Sequence, residues 1–150
     1  MHHQELTTMI QAILSEKKHK GIQESVDLLY QSNEQYHWIG IYIVKDAFLH
    51  LGPWQGKQAT EHTKIPIGTG VCGSAAKTGK TENISNVHVD KRYLSCFVST
   101  RSEIVVPIKK DGIILGEIDI DSNKPDAFTK EDVIFLETIA DMLAEHIRNL

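Results

Sequence analysis

Hydrophobic and polar positions divide the chain into two helical segments followed by an extended region. Leucine, isoleucine and methionine recur every three or four residues near the start, which predicts an amphipathic helix over 3–18. Gly21 follows as a break, and the apolar spacing after it predicts a second, short helix. We interpret both helices as elements of the scaffold or of a dimer interface. The whole chain, 1–150, is predicted to be a single domain, with a helical N-terminal segment over 1–33 and a core over 36–150.

From Tyr36 onward the apolar positions alternate, which indicates strands. The strands are expected at 38–44, 48–51, 63–67, 81–84, 103–108 and 113–121. Pro53 and Gly56 are expected to end the second strand, and Asp111-Gly112 predicts a tight hairpin between the last two.

Two further helices complete the pattern. One is expected over 71–77, opened by glycines and ended at Gly79. The other closes the chain, with Thr129 as its N-cap and Asp132 at the third helical position. Helices, an antiparallel sheet and a closing helix predict an α+β domain.

Composition narrows the function classes. A net charge of -4 and a pI near 6.0 argue against a nucleic-acid partner. No apolar run reaches the ~18 residues of a membrane span, and the first residues lack a signal-peptide core, so we expect a cytoplasmic protein without membrane contact. Without Cys-x-x-Cys or His-x-x-x-His spacing, we expect no metal site and no bound cofactor.

Acidic residues alternate with isoleucines in the last strand. Glu117, Asp119 and Asp121 therefore share one face, and Glu103 could join them across the hairpin. An exposed polar face would explain the pattern. The alternative is a carboxyl cluster that binds a ligand ammonium, or whose raised pKa lets one member protonate an oxygen.

The chain has two cysteines, Cys72 and Cys96. Cys72 follows a glycine-rich turn at a predicted helix start, where the helix dipole lowers a thiol pKa. Cys96 lies in a segment predicted to be irregular and is the better candidate nucleophile. Both could instead be small buried hydrophobic residues. If they meet in a reducing compartment, a transient catalytic disulfide is expected.

Two other motifs have a simple and a functional interpretation. The glycines at positions 68, 70 and 73 have the spacing of a dinucleotide-binding motif, but the strand-helix-strand unit of that motif is not predicted around them. We therefore interpret them as a tight turn at the start of a helix. Trp38 and Tyr42 supply either core packing or an aromatic wall for a methyl or thioether group.

Together these motifs resemble GAF domains, and most closely the free methionine-(R)-sulfoxide reductases. The matching motifs are Trp38-x-Gly40-x-Tyr42, Leu51-Gly52-Pro53-Trp54-Gln55-Gly56-Lys57, Ile65-Pro66-Ile67-Gly68-x-Gly70-Val71-Cys72-Gly73, Ser102-Glu103-Ile104-Val105-Val106-Pro107-Ile108 and Ile118-Asp119-Ile120-Asp121-Ser122. The resemblance implies a GAF-like fold of about six antiparallel strands with N-terminal helices and a long C-terminal helix, often as a homodimer.

The resemblance also implies roles for individual residues. Cys96 would attack the sulfoxide sulfur, Cys72 would resolve the resulting sulfenic acid as a disulfide, and thioredoxin or another dithiol would restore both thiols. Glu103 or Asp121 would protonate the oxygen. The residues expected to bind substrate are Trp38, Tyr42, Glu103, Asp119 and Asp121.

Three positions depart from the family pattern. His62 replaces a cysteine, residues 92–95 replace Gly-His-Ile-Ala, and Phe97 replaces an aspartate. The alternative function is a stand-alone sensory GAF domain that binds a small ligand without catalysis. The two matching cysteines favour the reductase.

Overall fold

A computed structural model describes residues 2–94 and 97–150. Its helices are α1 (His3–Glu16), α2 (Gly21–Ser32), α3 (Gly70–Thr78) and α4 (Lys130–Arg148), with one 3-10 turn at Val87–Val89. Its strands are β1 (Trp38–Lys45), β2 (Phe48–Gly56), β3 (Lys64–Pro66), β4 (Glu82–Ile84), β5 (Ser102–Lys110) and β6 (Ile113–Ser122). Among the described helices, none combines the length and apolar composition needed to cross a membrane.

The strands form one antiparallel sheet in the order β3-β2-β1-β6-β5-β4. The predicted α+β fold with six antiparallel strands is confirmed. The β5–β6 hairpin turns through Asp111 at φ 53° and Gly112 at φ 79°, the two positive angles that an Asp-Gly hairpin requires.

The two faces of the sheet differ in character because side chains alternate along each strand. Ile39, Ile104 and Ile120 point to the face that packs against α1, α2 and α4, where the larger apolar core lies. The other face packs against the short helix α3 and carries the polar residues of β5 and β6. The long helix α4 is held by the predicted capping box, in which Thr129 and Asp132 each accept from the other's backbone N–H.

Two boundaries differ from the sequence predictions. β2 continues through Pro53 to Gly56, because a bulge opposite β1 takes up the proline where no ladder hydrogen bond is needed. Gly21 is the first residue of α2 rather than a break, and the chain turns between the helices at 17–20.

Candidate active site

Four carboxyl groups meet on the sheet face under α3. The alternation of β6 directs Glu117, Asp119 and Asp121 there, and Glu103 of β5 pairs directly with Asp121. Their exposed fractions are 0%, 1%, 1% and 3%, so the interpretation of an exposed polar face is wrong. Such burial is rare for acidic residues that lack a cationic partner.

The electrostatics of this cluster favour its protonated state or a bound cation. Burial raises the pKa of Glu117, Asp119 and Asp121, and the charge of Asp119 raises the pKa of the other two further. Both oxygens of Glu117, both of Asp121 and Oδ1 of Asp119 have no hydrogen-bond partner among the described residues. The burial and the raised pKa values agree with the alternative interpretation, a carboxyl cluster that holds a proton or binds a cation.

Cys72 is the third residue of α3 and points into the same cluster. Positive φ angles at Gly68 (97°) and Gly70 (70°) turn the chain sharply into the helix. The thiol is buried, and its Sγ lies 4.0 Å from Oε2 of Glu103. Burial and then the charges of the four carboxylates raise its pKa well above the ordinary value.

The predicted lowering of the Cys72 pKa by the helix dipole is therefore wrong. A helix N-terminus supplies about half a positive charge. Desolvation of the buried thiol and the charges of Asp119, Glu117, Glu103 and Asp121 act in the opposite direction and outweigh it. These effects favour the neutral thiol of Cys72 over its thiolate.

Trp38 forms an aromatic wall beside the carboxyl cluster. Its ring stacks on Trp54, with ring centroids 6.2 Å apart, and lies 5.9 Å from the ring of Phe97. A Cβ at Gly40 or at Gly56 would overlap the Trp38 ring, so the two glycines create the slot in which the ring lies. The Trp38 Nε1 is buried and has no hydrogen-bond partner in the described part of the chain.

Tyr42 lies deeper, on the same face of β1. It is fully buried, and its hydroxyl donates to the backbone oxygen of His62 at 2.7 Å. This arrangement corresponds to the core-packing interpretation, and a role for Tyr42 in substrate binding stays a prediction.

Two cavities border the carboxyl cluster. Trp38, Asp121 and Phe97 line the larger one, together with His37 and Lys57. The smaller one is lined by His62, Ile65, Val71, Cys72, Leu94, Glu103 and Asp119. The cross-strand partners Glu103 and Asp121 thus face different cavities.

Known proteins resemble this chain in sequence and in fold. The GAF domain family matches residues 22–147. The free methionine-R-sulfoxide reductase of Escherichia coli is 41% identical over 105 residues, which cover 70% of this chain and 62% of that protein. The chain thus spans less than two thirds of that relative's length.

Two solved structures extend the match to nearly the whole chain. The type II free methionine-R-sulfoxide reductase of Thermoplasma acidophilum is 35% identical, with a TM-score of 0.82 and 96% of both chains covered. The Neisseria meningitidis reductase in complex with its substrate is 29% identical, with a TM-score of 0.91 and coverage of 97% and 88%.

The chain belongs to the GAF-domain free methionine-R-sulfoxide reductase family. The family expected from the motifs, and with it the oxidoreductase class, is confirmed.

Cys96, the expected catalytic residue of this family, and Ser95 before it lie outside the described residues. Their described neighbours frame the site, because Leu94 lines the smaller cavity and Phe97 the larger.

Arg92 and Leu94, two of the residues before Cys96 that differ from the family pattern, make specific contacts. The Arg92 guanidinium donates to both carboxylate oxygens of Glu82 at 2.9 and 3.1 Å, and to Asp90 at 2.8 Å. The Leu94 side chain occupies the space that the missing Cβ of Gly70 leaves. Arg92 and Leu94 thus fix the chain on the N-terminal side of Cys96 to β4 and to the start of α3.

Sequence reasoning missed three members of the site. Glu117 shares the face of Asp119 and Asp121, and the strand alternation already placed it there, but it was not selected as a site residue. Gly40 appeared only as part of a motif and Phe97 only as a departure from the family pattern, because their contacts depend on the position of the Trp38 ring.

Proposed function

We propose that this chain reduces free methionine-(R)-sulfoxide to methionine, with its two thiols as the source of electrons. One observation carries the proposal. Four buried carboxyl groups, three of them with raised pKa, lie beside the buried thiol of Cys72 and the ring of Trp38. A sulfoxide reductase needs these three components: a proton donor, a thiol and an apolar wall.

The larger cavity suits a zwitterionic amino acid. Asp121 offers a buried carboxyl group for the ammonium, and exposed Lys57 offers a cation for the carboxylate. His37 accepts the Asn123 backbone N–H at Nδ1, which leaves Nε2 for a donated hydrogen bond. The rings of Trp38 and Phe97 would contact the thioether methyl group. A peptide-bound residue would lack both charges.

The reaction would begin with attack of the Cys96 thiolate on the sulfoxide sulfur. Glu103 or Asp121 would donate a proton to the oxygen, and for Asp121 the pKa raised by burial favours this role. Methionine leaves, and the oxygen remains on Cys96 as a sulfenic acid, so the sulfoxide gains the two electrons that Cys96 loses.

Cys72 would then attack the sulfenic acid sulfur, forming the Cys72–Cys96 disulfide and releasing water. Because its pKa is raised, Cys72 needs a base at this step, and the Glu103 carboxylate at 4.0 Å can accept its proton. Thioredoxin or another dithiol would reduce the disulfide by exchange. The homodimer, the cytoplasmic location and the absence of a bound cofactor stay predictions.

Turnover of separated sulfoxide epimers tests this function. With dithiothreitol as reductant, we expect methionine from the free R epimer, none from the S epimer and none from an R-sulfoxide within a blocked peptide. Cys96→Ser is expected to abolish the reaction. Saturable binding of the free amino acid without any turnover would instead support the sensory module.

A further inference from the structure

Three side chains around the smaller cavity have the chemistry of metal ligands. One donor atom each of Cys72, Glu103 and Asp119 lies within 4.8 Å of the other two, and all three residues are buried. Donors of one tetrahedral Zn²⁺, at about 2.0–2.3 Å from the metal, lie about 3.5 Å apart. The three side chains would therefore need to close by only about 1 Å around an ion.

A second observation concerns the carboxyl group of Asp119, which lines this cavity. Oδ1 of Asp119 is buried and has no hydrogen-bond partner among the described residues. Glu117, next to Asp119 on the same strand face, also has both oxygens buried and unpartnered within the described chain. Buried carboxyl groups of this kind are costly unless a proton or a cation compensates them.

The donor set selects the kind of cation. Ca²⁺ takes 6–8 oxygen ligands and Mg²⁺ keeps several waters, so neither suits a small site with a thiolate. Zn²⁺ and Co²⁺ accept cysteine sulfur and carboxylate oxygen together.

We propose that Cys72, Glu103 and Asp119 form a binding site for a thiophilic divalent cation of the Zn²⁺ type, with water at the fourth position. Motif spacing could not indicate this site, because its three ligands come from α3, β5 and β6. The bound ion occupies the thiol and the carboxyl groups that the proposed reduction uses. Zn²⁺ therefore inhibits turnover reversibly and protects Cys72 from oxidation. This effect on the reaction rests on the proposed function, whereas the binding site itself does not.

Cobalt absorbance tests the site without any sulfoxide. Co²⁺ is titrated into the reduced full chain without oxygen, and we expect a sulfur-to-cobalt charge-transfer band that Zn²⁺ then removes. Cys96→Ser is expected to keep the band and Cys72→Ser to lose it. Asp119→Asn is expected to weaken Co²⁺ binding by at least about tenfold, the loss that even outer-shell changes cause. Asp141→Asn, at an exposed position of α4, is the matched control and leaves binding unchanged.

Three results would overturn the site: no band in the wild-type chain at millimolar cobalt, a band that survives Cys72→Ser, or unchanged affinity in Asp119→Asn. Circular dichroism verifies that each variant is folded, and Glu103→Gln replaces Asp119→Asn if that variant is not. A cobalt band in a chain without turnover would contradict the proposed function and leave the metal site standing. Turnover without a cobalt band would contradict the metal site and leave the proposed function standing.

Discussion

Glu103 and Asp121 face each other directly across the β5–β6 pair, with side chains that expose 3% and 1% of their surface. Like charges in direct cross-strand opposition destabilise a sheet, and burial increases that cost. The pair therefore favours states in which a proton or a ligand cation lies between the two strands. This arrangement costs stability and gives the site its affinity for a positive group.

Asp121→Asn is expected to stabilise the ligand-free fold at pH 8. The pKa of Asp121 is raised in the folded state, so its contribution is fully present below the ordinary value of 3.8 and is lost as pH rises through the folded pKa. Asn keeps a polar group at this position but carries no charge, and avoiding the desolvation of a buried carboxylate is worth about 1–3 kcal/mol. Thermal unfolding at pH 5 and pH 8 measures the effect, at about 2–4 °C per kcal/mol.

The matched control is Asp141→Asn, which also removes one acid but at an exposed position. It is expected to leave the pH dependence of unfolding unchanged. An Asp121→Asn chain that loses stability from pH 5 to pH 8 as steeply as the wild type would contradict the role given to this carboxyl group.

Binding of the amino acid is expected to release protons. The ammonium favours the ionised carboxylates, whereas the empty cluster holds protons because the pKa values of Glu117, Asp119 and Asp121 are raised. Calorimetry of the Cys96→Ser chain near neutral pH, in two buffers of different ionisation enthalpy, gives the number released. The analogue without the ammonium, 4-(methylsulfinyl)butanoate, should release none. Equal heats in both buffers for the amino acid would rule out this coupling.

Cys72 is expected to be a slow nucleophile at neutral pH. In the Cys96→Ser chain, its alkylation by iodoacetamide should be slow at pH 7 and should continue to rise beyond the pH at which an ordinary thiol levels off. Glu103→Gln removes one of the charges that raise this pKa, so it should shift the rate profile to lower pH. Glu34→Gln, at an exposed site, should not. A Cys72 that reacts fully at pH 7 would refute the neutral thiol.

Gly40→Ala is expected to displace the ring of Trp38. The added methyl group would overlap that ring, and such overpacking costs about 1–3 kcal/mol. We expect a raised KM and a shifted tryptophan emission. Gly21→Ala is the control, because its Cβ would meet Leu14 at 3.3 Å, away from the site. Unchanged kinetics and emission in Gly40→Ala would show that the slot does not position Trp38.

Local patterns predicted much of the fold. Alternation in β6 placed Asp119 and Asp121 on one face, and Asp-Gly predicted the hairpin that brings Glu103 beside them. The end of β2 was misjudged because a bulge, set by pairing with β1, accommodates Pro53. Such pairing depends on a partner strand far away in sequence.

The electrostatic state of the site was harder to predict. The helix-start position of Cys72 suggested a lowered pKa, but the four carboxylates that raise it come from two other elements. The choice between an exposed and a buried acid face depended equally on the packing of α3 over the sheet. Burial is a tertiary property, so neighbouring residues in sequence did not reveal it.

A single turnover without added reductant tests the central claim most directly. The reduced chain is mixed with an excess of free methionine-(R)-sulfoxide, and both methionine and the cysteine-containing peptides are quantified by mass spectrometry. We predict one methionine per chain and a disulfide that joins Cys72 to Cys96. No methionine, or methionine formed while both thiols remain free, would contradict the account.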